Sequence, residues 1–184
     1  MSVLPEEFVQ SGPWTEQAYF ALPEDNARIE LLDGALLVNP PPTVAHQVLT
    51  FRLAMALAAA CPVGLHVVVG VGVRLATGRI LVPDVAVVVI PDPGAKVLEA
   101  GDVRLAVEIV SPGSVAVDRA IKPPLYAAAG IPAYVRIEKA GPVAHLLRLE
   151  AGRYEPESSG TVLILSRPFP VEVDLVALVA VGAG

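Results

Sequence analysis

Two carboxylates stand where a chain built for burial would avoid them. Asp84 lies in the run Ile80-Leu81-Val82-Pro83-Asp84-Val85-Ala86-Val87-Val88-Val89, and Glu108 lies in Leu105-Ala106-Val107-Glu108-Ile109-Val110. A carboxylate enclosed by apolar neighbours is costly unless it is paired, hydrogen-bonded or bound to a metal. If the two runs form neighbouring strands, as their short connection suggests, both carboxylates can converge on one cation. Hard oxygen ligands with positions left for water suit Mg²⁺ or Mn²⁺. Asp118, Lys122 and Tyr126 recur every four residues, so a continuous helix would set all three on one face. Lysine is scarce here: of the 13 basic residues only Lys96, Lys122 and Lys139 are lysines. Each reading has a plainer rival. Asp84 could cap or salt-bridge a strand start after Pro83, and Asp118–Lys122 could be a surface pair worth only a few tenths of a kcal/mol.

Other chemistries find little support. His66 and His145 sit in apolar runs and read as core or surface residues, and no Cys/His cluster points to zinc. Ser111 lacks a nucleophile-elbow context, and no glycine-rich nucleotide fingerprint follows a strand. Cys61 is the single cysteine, so no internal disulfide forms, and it reads as a buried, inert thiol.

The elements that must position these residues are legible in outline. Thr15 to Leu22 reads as a short helix ended by Pro23. Arg28 to Val38 reads as a strand turning at Asp33-Gly34, a pair that favours positive φ. Thr43 is the expected N-cap of a helix to about Ala60, with Val44, Val48, Phe51, Leu53 and Leu57 as its apolar stripe. His66–Leu75 and Arg79–Ile90 read as a valine-rich hairpin around Ala76-Thr77-Gly78, followed by a loop at Pro91-Asp92-Pro93-Gly94. Val103–Val110 reads as a buried strand closed by Ser111-Pro112-Gly113, and Ser114 as the cap of the helix carrying Asp118, Lys122 and Tyr126. Ala133–Glu138, Ala144–Glu150 and a short segment around Tyr154 add strands, and a strand end with a short helix follows from Val171. This order implies an α+β, or mixed α/β, fold with a central mixed sheet flanked by helices.

The 184 residues suit one domain spanning 1–184, with an N-terminal extension at 1–14 and a C-terminal tail at 171–184. Hydrophobic residues make up 54% and charged residues 17%, which argues against disorder and suggests strands buried on both faces or a subunit interface. A homo-oligomer, most simply a dimer, is the expectation. The apolar runs are too short or too interrupted to span a bilayer. The start, Met-Ser-Val-Leu-Pro-Glu-Glu, lacks signal-peptide features, so a cytoplasmic location and no membrane partner are expected. The net charge of −6, without a basic run, means that any nucleic-acid contact must use a local patch.

Several ordered pieces carry a family resemblance. They are Thr15 and Tyr19 ahead of Leu22-Pro23; Ile29-Glu30-Leu31-Leu32-Asp33-Gly34; Pro42 followed by His46; Pro83-Asp84-Val85; Val107-Glu108-Ile109-Val110-Ser111-Pro112; Asp118 with Lys122 and Tyr126; and Gly130-Ile131-Pro132-Ala133-Tyr134. Over roughly residues 15 to 155 the chain resembles the Uma-two-type, restriction-endonuclease branch of the PD-(D/E)XK nuclease superfamily. The resemblance implies a restriction-endonuclease-like core and a Mg²⁺- or Mn²⁺-dependent endonuclease acting on DNA. It implies Asp84 and Glu108 as metal ligands with the Ile109 backbone carbonyl as a third, and Glu30 as an acidic residue at the metal site. Glu30 could instead pair with Arg28 or Arg52. The motif's usual lysine falls on Val110, and Lys122 is its implied replacement, orienting the attacking water. His46, Asp118 and Tyr126 are candidates for the site's edge, although His46 could be a hydrogen-bonded structural histidine and Tyr126 a packing residue with its hydroxyl near the site. Pro123-Pro124 departs from the pattern and is expected to break or kink the helix at Lys122. That departure, the acidic charge and Val110 favour a rival reading, a catalytically inactive binding or oligomeric module on the same fold.

Overall fold

Alternation along one strand divides the interior. In β8 (Val103–Val110), Leu105, Val107 and Ile109 point to one side of a sheet, and Ala106 and Glu108 to the other. The computed structural model of the protein describes residues 12–23, 28–111, 113–139 and 141–180. Most of the expected N-terminal extension, including the segment read for a signal peptide, lies outside these residues.

The elements run α1 (Glu16–Phe20), β1 (Arg28–Leu32), β2 (Ala35–Asn39), α2 (Val44–Ala60), β3 (His66–Val69), β4 (Gly72–Ala76), β5 (Arg79–Leu81), β6 (Val85–Val88), β7 (Val97–Glu99) and β8. After β8 come α3 (Lys122–Ala128), β9 (Ala133–Glu138), β10 (Val143–Glu150), β11 (Arg153–Gly160), β12 (Val162–Leu165), β13 (Val171–Asp174) and α4 (Leu175–Val179). A six-stranded mixed sheet has the order β11-β10-β9-β8-β6-β3, with β8 and β9 parallel. A five-stranded sheet has the order β2-β1-β5-β4-β7, and β12 pairs with β13 as a ribbon. The fold class is therefore the expected α+β, but with two sheets in place of one central sheet. No helix among the described residues is long and apolar enough to cross a membrane.

On one side of the larger sheet, Leu105, Val107 and Ile109 pack with Val85, Val87, Val135 and Ile137 against Leu49, Leu53 and Leu57 of α2. On the other side, Ala86, Val88 and Ala106 pack with Tyr126 of α3 and with Tyr134. Each fully buried leucine of the first face contributes about 1.5–3 kcal/mol relative to exposure.

Several expectations need correction. The valine-rich region 66–90 is four strands: β4 and β5 form the expected hairpin at residues 76–79 within the smaller sheet, while β3 and β6 pair in the larger one. Asp84 accordingly sits in a bend just before β6, not within a strand. In α2, capped by Thr43 as expected, the stripe is partly on the wrong face. Leu49, Leu53 and Leu57 are buried, while Val44 is 79% and Phe51 64% exposed. Apolar residues surround this helix, so periodicity could not choose its face. Another correction concerns Pro123-Pro124: the chain stays helical through Lys122, although its hydrogen-bond ladder changes there from a π-turn to an α-helix. A single π-turn, Val117–Ile121, precedes α3, and the prolines occupy the first positions of α3, where a helix has no N–H partners to lose. Ser114 does not cap the helix through its side chain; its hydroxyl accepts from the Ser111 N–H at 3.0 Å. Cys61 is half-buried, less enclosed than expected.

Candidate active site

The pairing of β6 with β8 sets Val85 opposite Val107 and Ala86 opposite Ala106. Continuing that antiparallel register by one pair puts Asp84 beside Glu108. The hairpin β1–β2 turns through Asp33 and Gly34, both at positive φ (50° and 85°). β1 then pairs with β5, which brings Arg28 and Glu30 against the Val82-Pro83-Asp84 bend. Arg28 and Glu30 are two apart on a strand and so share a face.

Glu30, fully buried, grips the bend and the helix together. Its Oε1 accepts from the Val82 N–H at 2.7 Å and lies 3.0 Å from Lys122 Nζ, and its Oε2 accepts from Asn39 Nδ2 at 3.1 Å. Arg28 feels the Glu30 charge but hydrogen-bonds to Asp84 and the Val82 carbonyl, and Arg52 donates to the carbonyls of Leu178 and Ala180. Lys122, 4% exposed, donates to Glu108 Oε1 at 2.9 Å and lies 3.7 Å from Asp118 Oδ1. Tyr126 donates to the same Glu108 oxygen at 2.8 Å. Asp118 in turn is held through its backbone, whose carbonyl accepts from Tyr134 Oη at 2.8 Å.

The two motif carboxylates share a design. Glu108 Oε1 is anchored by Lys122 and Tyr126, while Oε2 lies 3.7 Å from Arg28 Nη2. Asp84 Oδ2 is anchored by the Ile109 N–H at 2.6 Å, with His46 Nε2 at 3.4 Å, while Oδ1 faces Arg28 Nη1. One oxygen of each group is fixed by the protein; the other meets a common guanidinium. Arg28 also donates to the Val82 carbonyl, and its Nε is buried with no hydrogen-bond partner. His46 bridges towards the backbone as well. Its Nε2 is 3.3 Å from the Ile109 carbonyl, and Thr50 Oγ1 lies 3.3 Å from its Nδ1.

Charge follows this geometry. Burial opposes ionisation of Asp84, but the His46 hydrogen bond, the Arg28 charge and the Ile109 N–H hold its carboxyl down to about 2. Burial pushes Glu108 up to about 8; Lys122 and Arg28 only partly offset it, and Asp84 adds to it. Burial also works against the Lys122 ammonium, yet Glu108 and Glu30 raise its pKa above the ordinary lysine value. The Tyr126 phenol is pushed far up by burial and by the Glu108 charge, so it stays a donor. Asp118 is raised, chiefly by burial.

A cleft of about 1140 Å³ opens onto this cluster. Arg28, His46 and Asp84 line it; Glu30, Glu108 and Lys122 stand behind its wall. The structure thus brings Glu30, Asp84, Glu108, Lys122, Asp118, Tyr126, His46 and the Ile109 backbone into one contiguous set. Sequence reasoning named Arg28 only as an alternative partner for Glu30, and it passed over Asn39 and Thr50. The spacing of Arg28 and Glu30 was the available signal for Arg28.

No group of three or more His, Cys, Asp or Glu side chains among the described residues has metal-holding geometry by itself. The donor set is two carboxylates and a carbonyl. It fits a hard divalent ion of the Mg²⁺ kind, which takes one or two carboxylates and completes its shell with water; it does not fit zinc. His46 touches two of these three donors.

Comparison with known proteins gives a consistent result. A family model described as "Uma2: Putative restriction endonuclease" matches residues 16–178. A crystal structure described as a putative nuclease belonging to DUF820, from Anabaena variabilis, is similar with a TM-score of 0.75 at 16% identity. The match covers 91% of this chain and 98% of that one. No curated protein sequence matches the chain.

Proposed function

The chain belongs to the Uma2 family, and on that premise we propose that it is a Mg²⁺- or Mn²⁺-dependent endonuclease hydrolysing DNA phosphodiester bonds at the Asp84–Glu108 pair. The observation that carries this reading is the convergence of Asp84 Oδ1 and Glu108 Oε2 on a single cation, each with its partner oxygen already fixed. Charge supports it. The buried carboxylates Glu30, Asp84, Glu108 and Asp118 meet two permanent cations, Arg28 and Lys122. Burial raises Glu108 and Asp118 in the metal-free cluster, and ionising all four carboxyls leaves it two positive charges short, which one divalent ion would supply.

When bound by Asp84, Glu108 and the Ile109 carbonyl, the ion contributes Lewis acidity towards a phosphoryl oxygen and nearby water. The chain's residues set up that chemistry. Lys122 is a positioning residue: with its ammonium spent on Glu30 and Glu108, it acts through them and not from the cleft wall. Tyr126 fixes the rotation of the Glu108 carboxylate. Glu30, by holding the Val82 N–H, locks the bend that aims Asp84.

Cleavage of supercoiled plasmid with Mg²⁺ or Mn²⁺, with EDTA, and by Asp84→Ala and Glu108→Ala tests the reading. We expect nicking by the unaltered protein only, abolished by EDTA. Equal cleavage by all three proteins, or none by any, overturns it. A second reading, a catalytically silent module, gains from one observation: a single arginine already spans both carboxylates. In either case the exposed Val44, Phe51 and Met55 of α2, with Phe51 at the cleft, support a homo-oligomer, most simply a dimer; light scattering after gel filtration checks it.

A further inference from the structure

Arg28 stands where the divalent ion of the reading above belongs, and the inference rests on that reading. Its guanidinium contacts Asp84 Oδ1 and lies 3.7 Å from Glu108 Oε2, the two oxygens left free by the protein's own anchors. A Mg²⁺ ion at about 2.1 Å from those oxygens would fill the space between them, where the guanidinium now lies in contact with Asp84 Oδ1 and 3.7 Å from Glu108 Oε2. Arg28 has somewhere else to go. Its side chain is 26% exposed and lines the cleft, its Nε has no partner to lose, and beyond the pair only the Val82 carbonyl accepts a hydrogen bond from it, with the Glu30 charge nearby.

The cleft also shows where the freed charge would be useful. Among the described residues lining it, the lysine and arginine side chains are Arg28 and Lys96, on a protein of net charge −6. A polyanion entering this cleft meets few cations, and a planar guanidinium is the side chain best shaped for bidentate contact with a phosphate.

We propose that Arg28 is an exchangeable counter-ion: it closes the Asp84–Glu108 pair in the metal-free protein, and when a divalent ion takes that pair it turns into the cleft and binds the substrate's scissile phosphodiester. The arginine that makes the site look neutralised is then part of the site.

Mn²⁺ binding followed by electron paramagnetic resonance, without DNA, tests the first half. Removing the competitor in Arg28→Gln is expected to tighten Mn²⁺ binding by about tenfold or more, and Arg28→Lys by less. Addition of Asp84→Asn to either variant abolishes the gain. Unchanged or weaker Mn²⁺ binding by Arg28→Gln overturns the proposal, as does absence of Mn²⁺ binding by every form. An independent measurement needs no variant as sample: in the unaltered protein, the arginine Nε–H resonance missing from the Arg28→Lys spectrum should shift on saturation with Mg²⁺. A resonance that stays still also overturns it.

The second half is read at saturating metal, where Arg28→Gln should lower kcat for DNA cleavage by about 10²–10³-fold, the usual effect of deleting one donor to developing phosphoryl charge. Equal kcat removes the phosphate role. If Arg28→Gln tightens Mn²⁺ binding and no form cleaves DNA, the exchange at the metal pair stands while the nuclease reading and the phosphate role fall, so the failures separate.

Discussion

Strand β8 faces two interiors of different kinds. Towards α2, Leu105, Val107 and Ile109 meet Leu49, Leu53 and Leu57, a contact whose free energy follows apolar area and tolerates exchange of similar side chains. Towards α3, one residue along, Glu108 meets Lys122 and Tyr126 with Glu30 behind them. A buried ionic cluster of this sort adds little net stability over apolar packing of equal volume. What it fixes is direction: which carboxylate oxygen is bound by the protein and which is offered. One face holds the fold together; the other is retained for geometry, and substitutions on the two should separate stability from cleavage.

The largest effect is expected from Lys122→Met. The cation between Glu30 and Glu108 disappears, and two carboxylates are left buried around its place. Loss of about 3–5 kcal/mol in denaturant unfolding, together with loss of cleavage, is the expected outcome. An unchanged midpoint would mean that the cluster is not ionised and the contrast between faces is false. Glu108→Gln should split the two properties. Its amide oxygen still accepts from Lys122 and Tyr126, and the buried group can no longer ionise. Cleavage should fall by about 10³-fold while stability stays within about 1 kcal/mol. Collapse of the fold would make Glu108 a structural residue. On the oily face the pattern reverses: Leu105→Ala should cost about 3 kcal/mol through lost packing, with kcat per folded molecule unchanged. A metal arm follows from linkage. Mg²⁺ at a hundred times its dissociation constant should raise stability by about 2.7 kcal/mol, seen as a higher Tm, and should leave Asp84→Asn unmoved.

The same contrast explains what could be read from the sequence. Carboxylates in apolar runs are conspicuous because burial penalises them, so Asp84 and Glu108 could be found without coordinates. The four-residue spacing of Asp118, Lys122 and Tyr126 was legible too. The π-turn that lets Pro123 and Pro124 begin α3 was not, because proline reports only the N–H it lacks and not where a new helix starts. The division of residues 66–90 between two sheets was hidden for a related reason: β6 is buried at every position and β3, β4 and β5 are only three to five residues long, so no clear alternation tells them apart. The place of Arg28 at the carboxylate pair was missed because Asp84 is 56 residues away, and such a contact is set by the β1–β5 pairing.

The smallest effect is also the most discriminating. Tyr126 and Tyr154 each rest against Tyr134, with ring centroids 5.6 and 5.8 Å away, and each hydroxyl donates one hydrogen bond. Tyr126 donates to Glu108 Oε1 at 2.8 Å and Tyr154 to the Ile131 carbonyl at 2.9 Å. Replacing either by Phe keeps the ring and removes one bond, so each should cost about 1 kcal/mol of stability. Only Tyr126→Phe frees the Glu108 carboxylate to rotate about its remaining anchor, Lys122. Its cleavage rate should fall by about tenfold, equivalent to about 1.4 kcal/mol, in kcat and not in KM, because the phenol touches no substrate. Tyr154→Phe should cleave normally. Equal losses from both would mean that the ionic face depends on general packing and not on the aim of one oxygen.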